Sequence, residues 1–345
     1  MMKPFWLLIF VGVAFFSCQT KSNQETNHTQ NPQEVALDSI AFFTEKIRED
    51  AKNPTWYAKR GAVHYRFGRA NQAIKDLELA ISLDSMDVQY FLDLAEYNLS
   101  IGKSEKTKEA LENCLTIDPN HTEALLKLGE LHLVVRQYKE SMEYLVQAIR
   151  IDKELAKAYY LKSIIYEETG DTSLAITNLQ IAANKNSKMY PAYMKLGTLY
   201  AAKRDSLALD YFRIALLLNE ESIEAYYNMA MFYQENGYFE KALQQYDSLL
   251  ANADSEFYDA HYNKGFIFLE FLEDYPKAIE AFSNVIEMKN NYYQAYHNRG
   301  LAYELQGNLE QAKADYLQAL NILPNYNLSL EGINRVEQKL KKRMQ

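Results

Sequence analysis

The sequence predicts an all-α fold: an α-solenoid of about eight helix hairpins with a capping helix at each end. Three observations predict it. A cadence of a small residue, an aromatic, a turn and an alanine returns every 33 to 35 residues along most of the chain. Within the last of these periods Tyr296, Gly300, Tyr303 and Gly307 are spaced four, three and four apart, which is one face of a helix. Glycine (12) and proline (7) are scarce in 345 residues while tyrosine (27) is abundant, a profile that suits helices packed through aromatics better than a turn-rich β protein.

The chain opens MMKPFWLLIFVGVAFFSCQTKSNQ. One lysine precedes an apolar run from Phe5 to Phe16. Twelve helical residues span about 18 Å, short of the roughly 30 Å hydrocarbon core, so the run reads as a signal-peptide segment rather than a membrane span. Its end at Ser17-Cys18 resembles the lipobox of bacterial lipoproteins, although Phe15 and Phe16 stand where that family prefers leucine and a smaller residue. The resemblance implies a signal peptide over 1–17, lipidation of Cys18, and a place in the bacterial cell envelope, on the outer membrane. Several acyl chains together anchor a protein firmly where one does so only marginally. After Cys18, QTKSNQETNHTQNPQE has no apolar side chain except Pro32. Such a segment cannot offset its ordering entropy by burial, so 18–34 is expected to be a flexible tether with a root-mean-square span of about 20–24 Å.

Residues 35–53 read as an amphipathic helix that caps the first repeat. The repeats fill 54–326. RGAVHYRFGRANQA from Arg60, LAEYNLSIGKSEKT from Leu94, LGELHLVVRQYKES from Leu128 and KSIIYEETGDTSLA from Lys162 form the first half. LGTLYAAKRDSLA from Leu196, MAMFYQENGYFEKA from Met229, KGFIFLEFLEDYPKA from Lys264 and RGLAYELQGNLEQA from Arg299 complete the set. Small residues at Gly61, Ala95, Gly129, Ser163, Gly197, Ala230, Gly265 and Gly300 would let paired helices approach closely. A turn glycine recurs as Gly68, Gly102, Gly170, Gly237 and Gly307, with Arg136, Arg204 and Leu272 there in the third, fifth and seventh repeats. Residues 327–345 read as a closing helix with Leu330, Ile333, Val336 and Leu340 inward and its lysines in the last turn, where the helix dipole favours positive charge. This period and pattern resemble the tetratricopeptide repeat. The resemblance implies a right-handed superhelix whose first helices line a concave groove.

Chemistry finds little purchase in the sequence. Repeats and caps occupy nearly everything after the tether, so no stretch remains for a catalytic domain, and the chain is not expected to be an enzyme. His64 and His132 share the repeat position of Tyr166, Tyr200, Tyr233 and Tyr303, which makes them packing residues. No metal-ligand spacing, phosphate loop or nucleophile elbow occurs, so neither a metal nor a cofactor is expected. Cys114 replaces the alanines Ala80, Ala148, Ala182 and Ala319 and should be buried. The net charge of -9 argues against binding nucleic acid.

In tetratricopeptide proteins the groove-facing residues are the fifth, sixth and ninth of each repeat, counting the small residue as the eighth. In the last three repeats these are Tyr227, Asn228 and Met231, then Tyr262, Asn263 and Phe266, then His297, Asn298 and Leu301. The three asparagines form a register-matched row of amides able to hold a peptide backbone irrespective of its sequence, with aromatics adding apolar area. The expected function is a membrane-anchored scaffold that binds a protein partner, as an extended peptide or a helix, in this groove. A glycan- or nutrient-capture lipoprotein with sugars stacked on the same tyrosines is the alternative. Lys59, Asp93, Lys127, Leu161 and Lys195 fill the sixth position in the first five repeats and do not match the family's carboxylate clamp.

Overall fold

The computed structural model describes residues 32–343, with side chains from Ala36 onward; the predicted signal peptide, Cys18 and nearly all of the predicted tether lie outside the described residues. Among these residues the chain is eighteen α-helices and no strand. None of the helices is long and apolar enough to cross a membrane. Two compact units divide the chain, one ending at Ile101 and the other beginning at Gly102.

The first unit holds α1 (Pro32–Glu49), α2 (Pro54–Arg66), α3 (Ala70–Leu83) and α4 (Val88–Ser100). The helix α1 starts three residues before the expected cap. Two of the later helices begin where a side chain can accept from the exposed backbone amides: Asn53 caps α2, with Pro54 following where no amide is needed, and Asp87 caps α4. Consecutive helices pack against one another in chain order and enclose Ile74, Leu77, Tyr90 and Tyr97. Arg60 ties three helices together. Its Nε and Nη2 donate to both carboxylate oxygens of buried Asp76 on α3, at 2.9 and 2.6 Å, and its Nη1 reaches Thr44 Oγ1 on α1 at 3.3 Å.

The second unit opens with α5 (Ser104–Ile117) and continues through α6 (Thr122–Val134), α7 (Tyr138–Ile151), α8 (Ala156–Glu168) and α9 (Thr172–Lys185). Then come α10 (Tyr190–Ala202), α11 (Leu207–Leu218), α12 (Ile223–Glu235), α13 (Phe239–Asn252) and α14 (Tyr258–Glu270). It ends with α15 (Tyr275–Met288), α16 (Tyr293–Gln306), α17 (Leu309–Ile322) and α18 (Asn327–Arg343). Here too each helix packs on its neighbours in order, and first helices of successive repeats also touch, as α6 does α8 and α14 does α16. A single core runs through α9 to α14, with Leu179, Leu196, Phe212, Tyr246 and Leu249 fully enclosed.

The small eighth residue explains the close pairing. A Cβ on Gly197 would stand 2.4 Å from the Phe212 ring, and one on Gly265 would stand 2.8 Å from that of Phe282. In these hairpins the second helix presses a large side chain onto bare backbone of the first.

The turns hold one residue in the left-handed region, where glycine alone escapes a Cβ clash. Gly170 (φ 87°) and Gly307 (φ 88°) do this as predicted, while Arg136 (59°) and Arg204 (56°) take the same conformation with side chains. In the seventh repeat the left-handed residue is Glu273 (51°) and not Leu272. That hairpin is one residue longer, and Leu272 is drawn inward against the α9–α14 core, so the turn passes to the polar residue that follows.

The closing helix α18 packs on α16 and α17 through Gly332, which lies flat on the Tyr316 ring, and through buried Val336. Ile333 and Leu340 pack beside them, but Leu330, expected on the inner face, is exposed. An arginine fork matches that of the first unit: Arg299 Nε and Nη2 donate to Asp315 on α17 at 2.7 and 2.8 Å, and Nη1 to Ser283 Oγ on α15 at 3.0 Å.

Candidate binding surface

The helices α12, α14 and α16 are the first helices of repeats six to eight and carry the asparagine row. Two of the three amides are engaged across the repeats. Asn263 Nδ2 donates to Tyr227 Oη at 3.1 Å, and Asn298 Nδ2 donates to Tyr262 Oη at 2.9 Å, each reaching 36 residues back. Asn228 has no such couple, because the fifth position of repeat five is Met194, which carries no hydroxyl. Each couple leaves the asparagine Oδ1 as an acceptor and the tyrosine hydroxyl, which has accepted one hydrogen bond, as a donor. A donor beside an acceptor, repeated at a fixed interval, matches the C=O and N–H of a peptide unit.

The tyrosines are held from behind. Tyr262 meets Phe282 and Tyr292 edge-on, with ring centroids 5.6 and 5.3 Å away, and Tyr227 meets Phe257 at 5.7 Å. Burial pushes the phenols of both above their ordinary value, with Asn263 and Asn298 offsetting this in part, so they remain protonated donors at any physiological pH. Met231 lies beside the first couple, its sulfur 3.7 Å from Asn263 Nδ2 and 3.2 Å from Tyr246 Oη. Phe266 is half-buried, 5.9 Å edge-on to Phe271.

His297 is placed elsewhere. It is 7% exposed, and its Nδ1 lies 3.0 Å from Ser329 Oγ on α18, with its ring against Tyr316 and Tyr326 at 5.4 and 5.1 Å. Burial, helped by Arg335, pushes its imidazole down to about 4. The closing helix therefore covers this residue, and it packs rather than faces a ligand. The sequence does not reveal this, since register alone ignores what α18 lays over the last repeat.

Asp259, at the second position of repeat seven, lies within electrostatic reach of Tyr227 without having been expected there.

Lys195 Nζ donates to Glu167 at 2.6 Å, Lys127 lies 3.5 Å from Glu123, and Lys59 rests over the Trp56 ring at 5.3 Å. These lysines of the sixth position are therefore partnered within the chain. His132 is buried, 2.6 Å from Gln137 Oε1 and stacked on Tyr144. Cys114 is fully buried, and burial pushes its thiol up to about 11, so it is not a reactive thiolate. Among the described residues no group of three or more His, Cys, Asp or Glu side chains is arranged to hold a metal ion.

Comparison with known proteins bears on the same elements. A curated relative from Haemophilus influenzae, described as a lipoprotein NlpI homolog, is 30% identical over 105 residues. That stretch is 30% of this chain and 33% of the relative, so the chain spans about a third of the relative's length. The crystal structure of the C-terminal part of a TPR repeat-containing protein from Cytophaga hutchinsonii superposes with a TM-score of 0.54 at 16% identity, covering 64% of this chain and 91% of that one. It shares the fold. A tetratricopeptide repeat protein from Parabacteroides merdae reaches a TM-score of 0.48 at 16% identity over 72% of this chain and 98% of its own. Two family models, both described as tetratricopeptide repeat, match 88–121, 122–155 and 223–252 in one case and 293–326 in the other. Those four stretches, two of which carry asparagines of the row, are similar to the tetratricopeptide repeat.

Proposed function

We propose that this chain is a lipid-anchored interaction scaffold of the bacterial cell envelope that grips an extended segment of a protein partner along α12, α14 and α16. The observation that carries the reading is the pair of tyrosine–asparagine couples. Each offers one donor and one acceptor at the same repeat position, as a peptide backbone requires. Tyr227, Asn228, Met231, Tyr262, Asn263, Phe266 and Asn298 form the gripping surface, and His297 supports it from below. The anchor is Cys18, at the end of the apolar leader, and residues 18–34 give it slack. The lipoprotein name of the Haemophilus relative supports that part of the reading.

A displayed peptide library selected on the full chain tests the grip. Binders enriched by the native chain should lose about tenfold in affinity with Asn263→Ala, the loss of one hydrogen-bonding couple. The helical circular dichroism signal should stay the same. Binders that tolerate Asn263→Ala and Asn298→Ala alike would remove the backbone-gripping mechanism.

A further inference from the structure

The second unit holds an open cleft that shares no residue with the asparagine row. It lies between α9 and α11, over α10. Its volume is about 410 Å³, inside the range of about 300–1,000 Å³ typical of small-molecule sites. Buried Tyr193 and Leu196 of α10 form the floor. Gln180 and Asn184 of α9 stand on one wall, about one helical turn apart, and Tyr211 and Ile214 of α11 stand on the other. No lining residue is charged. Two other clefts of the unit differ in this: Glu256 and Glu287 line one, and Lys264, Lys277 and Glu280 line the other.

The polar groups on its walls are held in place or left open in a definite way. Gln180 Nε2 donates to Tyr200 Oη at 3.2 Å and to Tyr211 Oη at 3.5 Å, and the two tyrosine rings stack with centroids 5.4 Å apart. This fixes the Gln180 amide with its Oε1 left as an acceptor, while each phenol keeps its own O–H to donate. Asn184 is exposed, and its amide makes no hydrogen bond among the described residues, so its donors and its acceptor all remain available. Repeat packing does not require this pair of amides. One period earlier Val146 and Arg150 stand in register with them, and two periods earlier Glu112 and Thr116 do.

We propose that this cleft binds a neutral saccharide unit, held by Gln180, Asn184 and Tyr211 over the apolar floor. A pyranose ring carries hydroxyls on its rim, each both donor and acceptor, and C–H groups on its faces. The two amides and the phenol meet the rim, while Tyr193, Leu196 and Ile214 cover a face. A phosphate or carboxylate would lose water there and find no opposite charge on the walls, so the ligand is uncharged. The saccharide lies on α9, α10 and α11 and not on the groove tyrosines, which leaves the gripping surface free for a protein segment.

Isothermal titration of the full chain, in a detergent without a sugar headgroup, tests this with maltotriose, cellotriose, chitotriose and the charged trigalacturonate. At least one of the three neutral trisaccharides should bind, and trigalacturonate should bind at least about tenfold more weakly than the best of them. Asn184→Ala and Tyr211→Phe should each weaken that binding about three- to tenfold, the loss of one hydrogen bond, with the helical circular dichroism signal unchanged. The exposed position of Asn184 and the retained ring at 211 keep both variants folded. No binding by any neutral trisaccharide would overturn the inference, as would equal binding of trigalacturonate or binding indifferent to both variants. Binding that Tyr262→Phe removes and Asn184→Ala does not would put the saccharide on the groove tyrosines and overturn it as well. Each of these failures leaves the peptide grip to be judged separately, by its own response to Asn263→Ala.

Discussion

Gly197 shows how one residue sets the spacing of a repeat. The Phe212 ring occupies the volume that a side chain at 197 would need, with three ring atoms inside 3 Å of the missing Cβ. Phe212 is fully enclosed and cannot swing away without opening a void in the α9–α14 core. Gly197→Ala should therefore lower stability by about 1–3 kcal/mol through overpacking, despite the better helix propensity of alanine. Urea denaturation followed by circular dichroism measures this. An unchanged midpoint would mean that the α10–α11 pair separates freely. The role of such residues is legible in the sequence, because a small side chain at one fixed place in every period marks where two helices meet closely. The same holds for Cys114, whose alanine counterparts announce its burial. Leu272 is not legible in this way: the length of its hairpin says that a turn residue is displaced, but only the packing of Leu272 inward decides which.

At the scale of one element, α18 is held by charge as well as by Val336. Glu304 on α16 is 4% exposed and accepts from Arg335 at 3.0 Å, Lys339 at 2.9 Å and Tyr316 at 2.7 Å. Burial pushes its carboxyl up, but hydrogen bonds from Arg335, Lys339 and Tyr316 outweigh it, and the net shift is downward. A carboxylate lowered on folding contributes stability above the ordinary carboxylate range and loses it as pH falls through its folded value. His297 acts in the same direction for a different reason. Its imidazole titrates near 6.5 in the unfolded chain and near 4 in the folded one, so the unfolded chain takes up the proton first as pH falls. Stability of this end should decline from about pH 6.5 to pH 4, and hydrogen exchange of the α18 amides at stepped pH reads it. His297→Tyr, the residue found at this position in repeats six and seven, should flatten the decline above about pH 4.5 and leave the carboxylate contribution below it. An identical decline in that variant would refute the assignment to His297. The sequence explains the basic tail of α18 as a response to the helix dipole. Its pairing with Glu304 is hidden there, since nothing in the spacing of a glutamate 31 residues before Arg335 marks it as buried.

Across the whole molecule the period of the sequence is the most informative feature. Hydrophobic faces recurring every 33 to 35 residues can be buried only by neighbours, and that physical requirement dictates the helix order and the caps without reference to any family. What the period does not give is the division at Ile101 and Gly102, which the repeat pattern crosses without interruption. Nor does it rank the groove positions, because register treats a covered histidine and an open asparagine alike. The proposed anchor belongs to this scale too. Cys18→Ala should move the protein from the membrane fraction to the soluble fraction on cell fractionation, and continued retention would require attachment by another part of the chain.

The two arginine forks share one arithmetic: Thr44, Arg60 and Asp76 are sixteen residues apart in sequence, and so are Ser283, Arg299 and Asp315. The hydroxyl that α1 presents to its arginine is the one that a complete repeat presents in the other unit, so the cap imitates the trailing half of a hairpin. This makes the array extensible by a simple rule. A second copy of residues 293–326 inserted after Tyr326 would bring its arginine sixteen positions past Leu317, so the graft needs Leu317→Ser to restore the missing acceptor. Such a lengthened chain should unfold at a higher urea concentration than one grafted without that substitution.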